Sequence, residues 1–212
     1  MSSTTCTPAG IHAVQAPRDK RNAKTRSAAE GASRSGIWVA IFAITMSFAA
    51  FTSALFVREG SAGDWTHIAL PPILYANTLA LLLSSVMLNM SRRNIAARPV
   101  MESHAVTKAM GWLVATLVLG LLFIAGQYEA WRQLAAQGLY LSTNPSSSFF
   151  YVFTGMHVVH LLGGVAALVY LMGQLAGSYT TFRRAAFENT AIYWHFMGVL
   201  WLYLFLVLRT KI

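Results

Sequence analysis

Residues 110–131 read MGWLVATLVLGLLFIAGQYEAW, and Glu129 is the only charged side chain among them. About 20 predominantly apolar residues are enough for an α-helix to cross a lipid bilayer. A helix on the surface of a soluble protein would present one charged face, and this stretch has none. It therefore predicts a transmembrane helix.

Four further stretches have the same character: residues 37–57, 68–90, 149–172 and 189–208. None of them contains a charged residue, although the chain carries 16 Lys and Arg and 7 Asp and Glu. A charge in hydrocarbon costs at least about 2.5 kcal/mol, and this cost accounts for the segregation. The predicted fold class is all-α: a polytopic transmembrane helical bundle of five helices.

The basic residues predict the orientation of the bundle, because Lys and Arg concentrate in cytoplasmic segments. The side shared with the N-terminus holds Arg18, Lys20, Arg21, Lys24, Arg26, Arg34, Arg92, Arg93, Arg98, Lys108, Arg183 and Arg184. The other side holds only Arg58, Arg132, Arg209 and Lys211. We therefore expect the N-terminus inside and the C-terminus outside. The net charge of +9 is then a topology signal, and no nucleic-acid partner is predicted.

The chain divides into a basic segment, residues 1–36, and a five-helix domain, residues 37–212. The first segment is rich in Ser, Thr and Ala and has no apolar run that would make it a secretory signal. We expect a disordered cytoplasmic tail that is attracted to anionic lipid; a mitochondrial transit peptide is the alternative that its composition also allows. With Cys6 as the single cysteine, disulfide frameworks, Cys-ligated zinc and iron–sulfur clusters are excluded.

Ionisable residues within membrane spans indicate function by default. The candidates are Glu129, His157, His160 and His195, together with Glu188 at the inner end of the fifth span. His160 lies roughly 18 Å above the inner end of the fourth helix, and His195 lies roughly 9 Å above the inner end of the fifth helix. Metal ligation is disfavoured because two histidines at such different depths in the membrane cannot easily reach one metal ion. We expect each histidine to be hydrogen-bonded across a helix interface. Glu129 would reach the headgroups, and Glu188 would cap the fifth helix. No catalytic, cofactor-binding or metal-binding residue is predicted on this chain.

The stretch 148–164, SFFYVFTGMHVVHLLGG, resembles the TGxHxxHxxGG signature of subunit III of the haem–copper terminal oxidases. The similarity covers about residues 36–208, and motifs fall in order on four of the five helices. The chain is identified as a member of the five-helix bacterial form of that family. The other matching segments are LPPILYANT at 70–78 with Ser84 and Ser85, QYE at 127–129 with Trp131, and residues 188–205.

The resemblance implies a cofactor-free subunit of an oxidase, in a bacterial inner membrane, that reduces O2 to water and pumps protons. Haem and copper would lie in partner subunits, and oxidase subunits I and II would be the partners. The implied role is to hold phospholipid, to sustain proton uptake into subunit I and to stabilise the complex. Glu129, His157, His160, Glu188 and His195 match family positions concerned with helix packing and lipid contact.

The chain departs from the family pattern in three respects. It lacks the first two helices of the seven-helix members, so a partner would have to close the lipid cleft. Thr45 stands where the family often has a carboxylate, and Gly198 stands where many relatives have Asp. Two alternatives stay open: an accessory subunit of a bacterial nitric oxide reductase, and a b-type cytochrome membrane anchor that uses His157, His160 and His195.

Overall fold

The computed structural model describes residues 11–61, 68, 70–96, 103–177 and 184–212, with side chains at 34–61, 68, 70–95, 106–177 and 185–212. Each of its five helices contains a stretch long and apolar enough to cross a membrane. The prediction of a five-helix transmembrane protein is therefore confirmed over the described part of the chain, while the orientation of the termini stays a prediction. The helices are α1 (Ile11–Ser61), α2 (Ile73–Ala96), α3 (Ser103–Ala136), α4 (Pro145–Ala176) and α5 (Arg184–Lys211).

The start of α2 differs from the prediction, which placed two prolines inside the second span. The helix begins at Ile73, and the prolines form the turn before it: the Leu74 amide donates to the Pro71 carbonyl at 3.2 Å and the Tyr75 amide to the Pro72 carbonyl at 3.1 Å. Proline has no N–H to donate and is best tolerated where a helix starts. Residues 70–72 therefore lead into the helix.

The N-terminal segment continues the first helix toward the N-terminus. Because α1 begins at Ile11, residues 11–36 have a helical backbone, and residues 1–10 lie outside the described residues. Ala, Arg, Lys and Gln are strong helix formers, and a segment continuous with a transmembrane helix needs no new nucleus. The cytoplasmic location of this segment stays a prediction.

Four of the helices form a closed ring, and the fifth lies on its outside. α3 packs against α2 and α4, while α5 closes the ring by packing against both α4 and α2. α1 lies against α5 and, over a shorter length, against α4. α4 and α5 therefore each touch three of the other four helices.

Two fully buried indoles of α5 fill the centre of the ring and bond it to α2. The Trp194 Nε1 donates to Ser84 Oγ at 3.0 Å, and the Trp201 Nε1 donates to Thr78 Oγ1 at 3.0 Å. Trp201 also packs edge-on against Phe123 of α3, with ring centroids 4.7 Å apart. Large aromatic residues supply packing area, and their N–H groups require a partner when buried, so each indole fixes the rotation of α5 relative to α2.

Similar bonds join two further helix pairs, α1–α5 and α3–α4. The Tyr203 hydroxyl of α5 donates to Thr52 Oγ1 of α1 at 3.0 Å, and the Trp131 indole of α3 donates to Thr154 Oγ1 of α4 at 2.9 Å. Such interhelical hydrogen bonds contribute on the order of 1 kcal/mol each in membrane proteins. Together they set the register of the bundle.

Ion pairs mark the two ends of the bundle. Lys211 Nζ lies 3.0 Å from Glu59 Oε2, so the C-terminus of α5 is held beside that of α1; this end is called the Lys211 end. At the opposite end Arg92 of α2 pairs with Glu188 of α5; this end is called the Glu188 end. Basic residues that the sequence assigns to opposite sides of the membrane thus lie at opposite ends of the structure.

We expect Gly120→Ala to lower the free energy of unfolding by about 1–3 kcal/mol, the usual cost of overpacking. A Cβ at this position would lie 2.7 Å from Cη2 of Trp194, and that indole cannot move aside without losing its bond to Ser84. Gly111→Ala, on the same helix, is the control because nothing lies within 4 Å of its Cβ position. Thermal unfolding of both variants in detergent measures the difference, and equal midpoints would contradict the packing described here.

Candidate functional site

The five candidate residues lie at separate places in the bundle. His157 is in the core of the ring, His160 is at the contact with α1, and the remaining three are on α3 and α5. Among the described residues, no three His, Cys, Asp or Glu side chains come close enough to share a metal ion. The cofactor-free character of the chain stays a prediction.

His157 is fully buried between aromatic rings. Its ring lies 5.7 Å from that of Phe123 of α3 and 5.1 Å from that of Trp201 of α5, centroid to centroid. Neither Nδ1 nor Nε2 has a hydrogen-bond partner within the described residues. The predicted interhelical bond of His157 is therefore not made to any described side chain, and Phe123 and Trp201 present their rings to the imidazole instead.

His160 is half-buried, and its ring lies 5.9 Å from that of Phe48 of α1. The Nδ1 atom is 2.7 Å from the Met156 carbonyl oxygen, one turn earlier in the same helix. The interhelical bond at this position goes to the backbone: the Tyr193 hydroxyl donates to the His160 carbonyl at 2.9 Å. The prediction of a bond across the interface is wrong for this side chain, because a carbonyl of its own helix is within reach.

Glu129 is paired with Arg132, three residues later on α3, at 3.3 Å. Both side chains are partly exposed, at 41% and 67% respectively, and such a pair contributes between about 0 and 1 kcal/mol. Because α3 continues to Ala136, Glu129 lies two turns before the end of the helix and not at its end as predicted. Its contact with lipid headgroups stays a prediction.

Glu188 binds the guanidinium of Arg92 with both carboxylate oxygens, at 2.6 Å from Nη2 and 3.0 Å from Nε. This fork geometry is the strong form of an Arg–carboxylate pair. Since α5 begins at Arg184, Glu188 lies beyond the first turn, and the prediction that it caps the helix is wrong. The sequence does not predict Arg92 as the partner of Glu188, although the two residues have opposite charges at span ends assigned to the same side of the membrane.

His195 lies two turns after Glu188 on α5 and is half-buried. Glu188, Ala191, His195 and Val199 are spaced three and four apart and form one stripe along α5. Ala191 is buried, whereas Val199 is 65% exposed, so this stripe runs from the interior to the surface of the bundle. Its carboxylate is already bound by Arg92, so the stripe does not leave a free acid–imidazole pair.

A groove of about 420 Å³ lies between α1, α4 and α5 near the Glu188 end. Half of its ten lining residues are Gly or Ala, and its polar residues are Tyr170 of α4 and Asn189, Thr190 and Tyr193 of α5. Small residues on neighbouring helices leave room for a chain-like apolar ligand at this place. The small residues of the lining are Gly36, Ala40, Gly163, Ala167 and Ala186.

Two buried amide side chains inside the ring belong to the matching family segments but are not among the five candidate residues. Asn77 of α2 is 4% exposed and Gln127 of α3 is not exposed at all. A Cβ at Gly126 would overlap Oδ1 of Asn77, so the two helices meet at these residues. The signal that could have found them is an amide on the core-facing side of a transmembrane helix.

Comparison with known proteins places these features in a family. The family model for cytochrome c oxidase subunit III matches residues 31–210. A cytochrome c oxidase subunit 3 of Alkalihalophilus pseudofirmus is 28% identical over 174 residues, which are 81% of this chain and 83% of that protein.

Two other relatives match differently. A probable cytochrome c oxidase subunit 3 of Mycobacterium bovis is 34% identical over 98 residues, 46% of this chain and 48% of that protein; the match thus spans about half the length of this relative. A haem–copper oxidase subunit I+III of Aeropyrum pernix is 27% identical over 183 residues, 81% of this chain and 22% of that protein. Because the family model covers all five membrane-spanning helices of the structure, the chain belongs to the cytochrome c oxidase subunit III family.

Proposed function

We propose that this chain is the non-catalytic subunit III of a respiratory haem–copper oxidase that reduces O2 to water and pumps protons. The observation that carries the proposal is the family match over residues 31–210. The chain would lie in a bacterial inner membrane with its N-terminus in the cytoplasm, as the distribution of Lys and Arg indicates. Electron transfer, haem and copper would belong to its partner subunits.

The partners would be oxidase subunits I and II, and the fused relative supports the first of them. In Aeropyrum pernix a subunit I+III is similar to this chain over 81% of its length. A protein that joins the two subunits in one chain favours their direct contact in an assembled complex. The bundle offers apolar surface for such a contact on α2 and α3, where Leu79, Leu82, Val118 and Leu122 are exposed.

The groove near the Glu188 end supports a role in holding phospholipid. An acyl chain is a flexible apolar ligand, and the lining of small residues from three helices would receive it. The hydroxyl and amide groups of Thr190 and Asn189 lie in the same lining. A bound lipid would extend the contact of α1 with the ring, and this is how we expect the subunit to stabilise the complex and to sustain proton uptake by subunit I.

Isolation of the complex through an affinity tag on this chain tests the assignment. We expect subunits I and II to co-purify with it and the preparation to consume O2. A preparation that reduces nitric oxide without O2 uptake would instead support the nitric oxide reductase alternative. A Soret band on the chain purified alone, lost in His195→Ala, would support the b-type cytochrome alternative and overturn the cofactor-free proposal.

We expect Ala167→Leu to reduce the phospholipid that co-purifies with the complex, because the larger side chain fills the groove. Ala166→Leu is the matched control: it makes the same change on the same helix, at an exposed position outside the lining. Phosphorus analysis or mass spectrometry of the extracted lipid measures the difference. If both variants retain the lipid content of the parent protein, the groove does not hold phospholipid.

The orientation can be measured with the single cysteine of the chain. We expect a membrane-impermeant maleimide to label Cys6 in inverted membrane vesicles and not in intact cells, because positive segments stay inside. In a Cys6→Ser background, Ser142→Cys reports the other side, since residue 142 is exposed between α3 and α4. Labelling of Cys6 in intact cells, without labelling of Ser142→Cys, would reverse the proposed orientation.

A further inference from the structure

We propose that Asn77, Gln127 and His157 form a buried hydration site that holds at least one ordered water molecule within the ring of α2–α5. The exposed fraction of these side chains is 4% for Asn77 and 0% for Gln127 and His157. Five of their polar atoms have no hydrogen-bond partner within the described residues: Asn77 Nδ2, Gln127 Nε2 and Oε1, and His157 Nδ1 and Nε2. So many unpaired groups in one region of a protein interior require an explanation.

Asn77 and Gln127 meet at the contact of α2 with α3. Oδ1 of Asn77 occupies the space that a Cβ at Gly126 would take, and Gln127 follows Gly126 in the chain. The next residue of α2, Thr78, accepts a bond from the Trp201 indole in the centre of the ring. Asn77 therefore belongs to the same level of the bundle as the core aromatic residues.

Gln127 lies at the same level of the bundle as His157. One turn before Gln127, Phe123 contacts the His157 ring at 5.7 Å. One turn after it, Trp131 donates to Thr154, which is one turn before His157 on α4. Because α3 and α4 run antiparallel, Gln127 lies between these two contacts and faces the part of α4 that carries His157.

The donors and acceptors of these three side chains match those of water. A carboxamide offers two N–H donors and one carbonyl acceptor, and a neutral imidazole offers one donor and one acceptor. A water molecule both donates and accepts, and buried waters make about three such bonds, so water suits this mixed set. A cation would be repelled by the N–H groups, and a fatty chain would leave every polar atom unpaired. The membrane interior offers no other partner to these groups.

The water would bridge polar side chains of α2, α3 and α4, just as the indole–hydroxyl bonds of Trp194 and Trp201 join α5 to α2. Trp201 covers His157 from the side of α5, with ring centroids 5.1 Å apart, and it separates the polar set from that helix. The inference does not depend on which oxidase the chain serves, because it concerns atoms inside the subunit. It can therefore hold or fail independently of the proposed function.

Solid-state NMR of the full chain in lipid bilayers, with 15N-labelled histidine, tests the site directly. His157 is assigned by the resonances that disappear in His157→Phe. We expect magnetisation transfer between a ring N–H of His157 and water protons. A His157 ring that shows no such transfer, while the half-buried His160 does, would overturn the proposal.

A second measurement tests the sign of the effect on stability. Gln127→Met keeps a side chain of similar length but cannot bind water, so we expect its thermal midpoint to fall by about 2–4 °C. If the amide were dry, removing it would relieve an uncompensated desolvation cost and raise the midpoint. Gln137→Met is the matched control at an exposed position after α3. An unchanged or raised midpoint for Gln127→Met, relative to this control, would contradict a bound water.

Discussion

The polar groups of this subunit must find their partners inside the protein, because a hydrocarbon environment supplies none. The fold answers that constraint mainly through α5, whose Trp194, Trp201 and Tyr203 donate to hydroxyl groups of α2 and α1. The Tyr193 hydroxyl adds a bond to a backbone carbonyl of α4. A single helix thus holds three neighbours in fixed rotation, and the closed ring depends on it.

The distances between the helices depend on side-chain shape as well as on hydrogen bonds. The Trp194 ring lies where a Cβ at Gly120 of α3 or at Gly164 of α4 would meet it, at 2.7 and 3.2 Å. Helix association in lipid gains little from apolar burial and relies on close contact. Two glycines on facing helices provide the space for the largest side chain, so the position of the indole specifies how near α3 and α4 approach α5.

The spans could be predicted from sequence because the cost of a charge in hydrocarbon acts on each residue separately. The partners of Glu188 and His160 could not, because these depend on which helices become neighbours. Arg92 is 96 positions from Glu188 along the chain, and the ring that brings them together follows from interhelical packing.

The candidate residues separate into two physical classes. Glu129 and Glu188 are charged, and each has a basic partner at a partly exposed position, where water or headgroups can share the cost of the charge. His157 lies in the core and is enclosed by aromatic rings. A family signature therefore combines residues with different roles, and its two histidines do not act as a pair: one lies in the ring, and the other faces α1.

Exposure alone does not distinguish the surface that meets lipid from the surface that meets a partner subunit, because lipid tails are as apolar as leucine side chains. Trp38 and Phe42 of α1 are as exposed as Leu79 and Leu122 of α2 and α3. A groove is the feature that sets one part of this apolar surface apart. Five of the ten residues that line the groove between α1, α4 and α5 are Gly or Ala, whereas Leu79 and Leu122 stand out from α2 and α3. A flexible acyl chain adapts to such a groove at little cost, and this difference supports the proposal of phospholipid at the groove and of a partner subunit at α2 and α3.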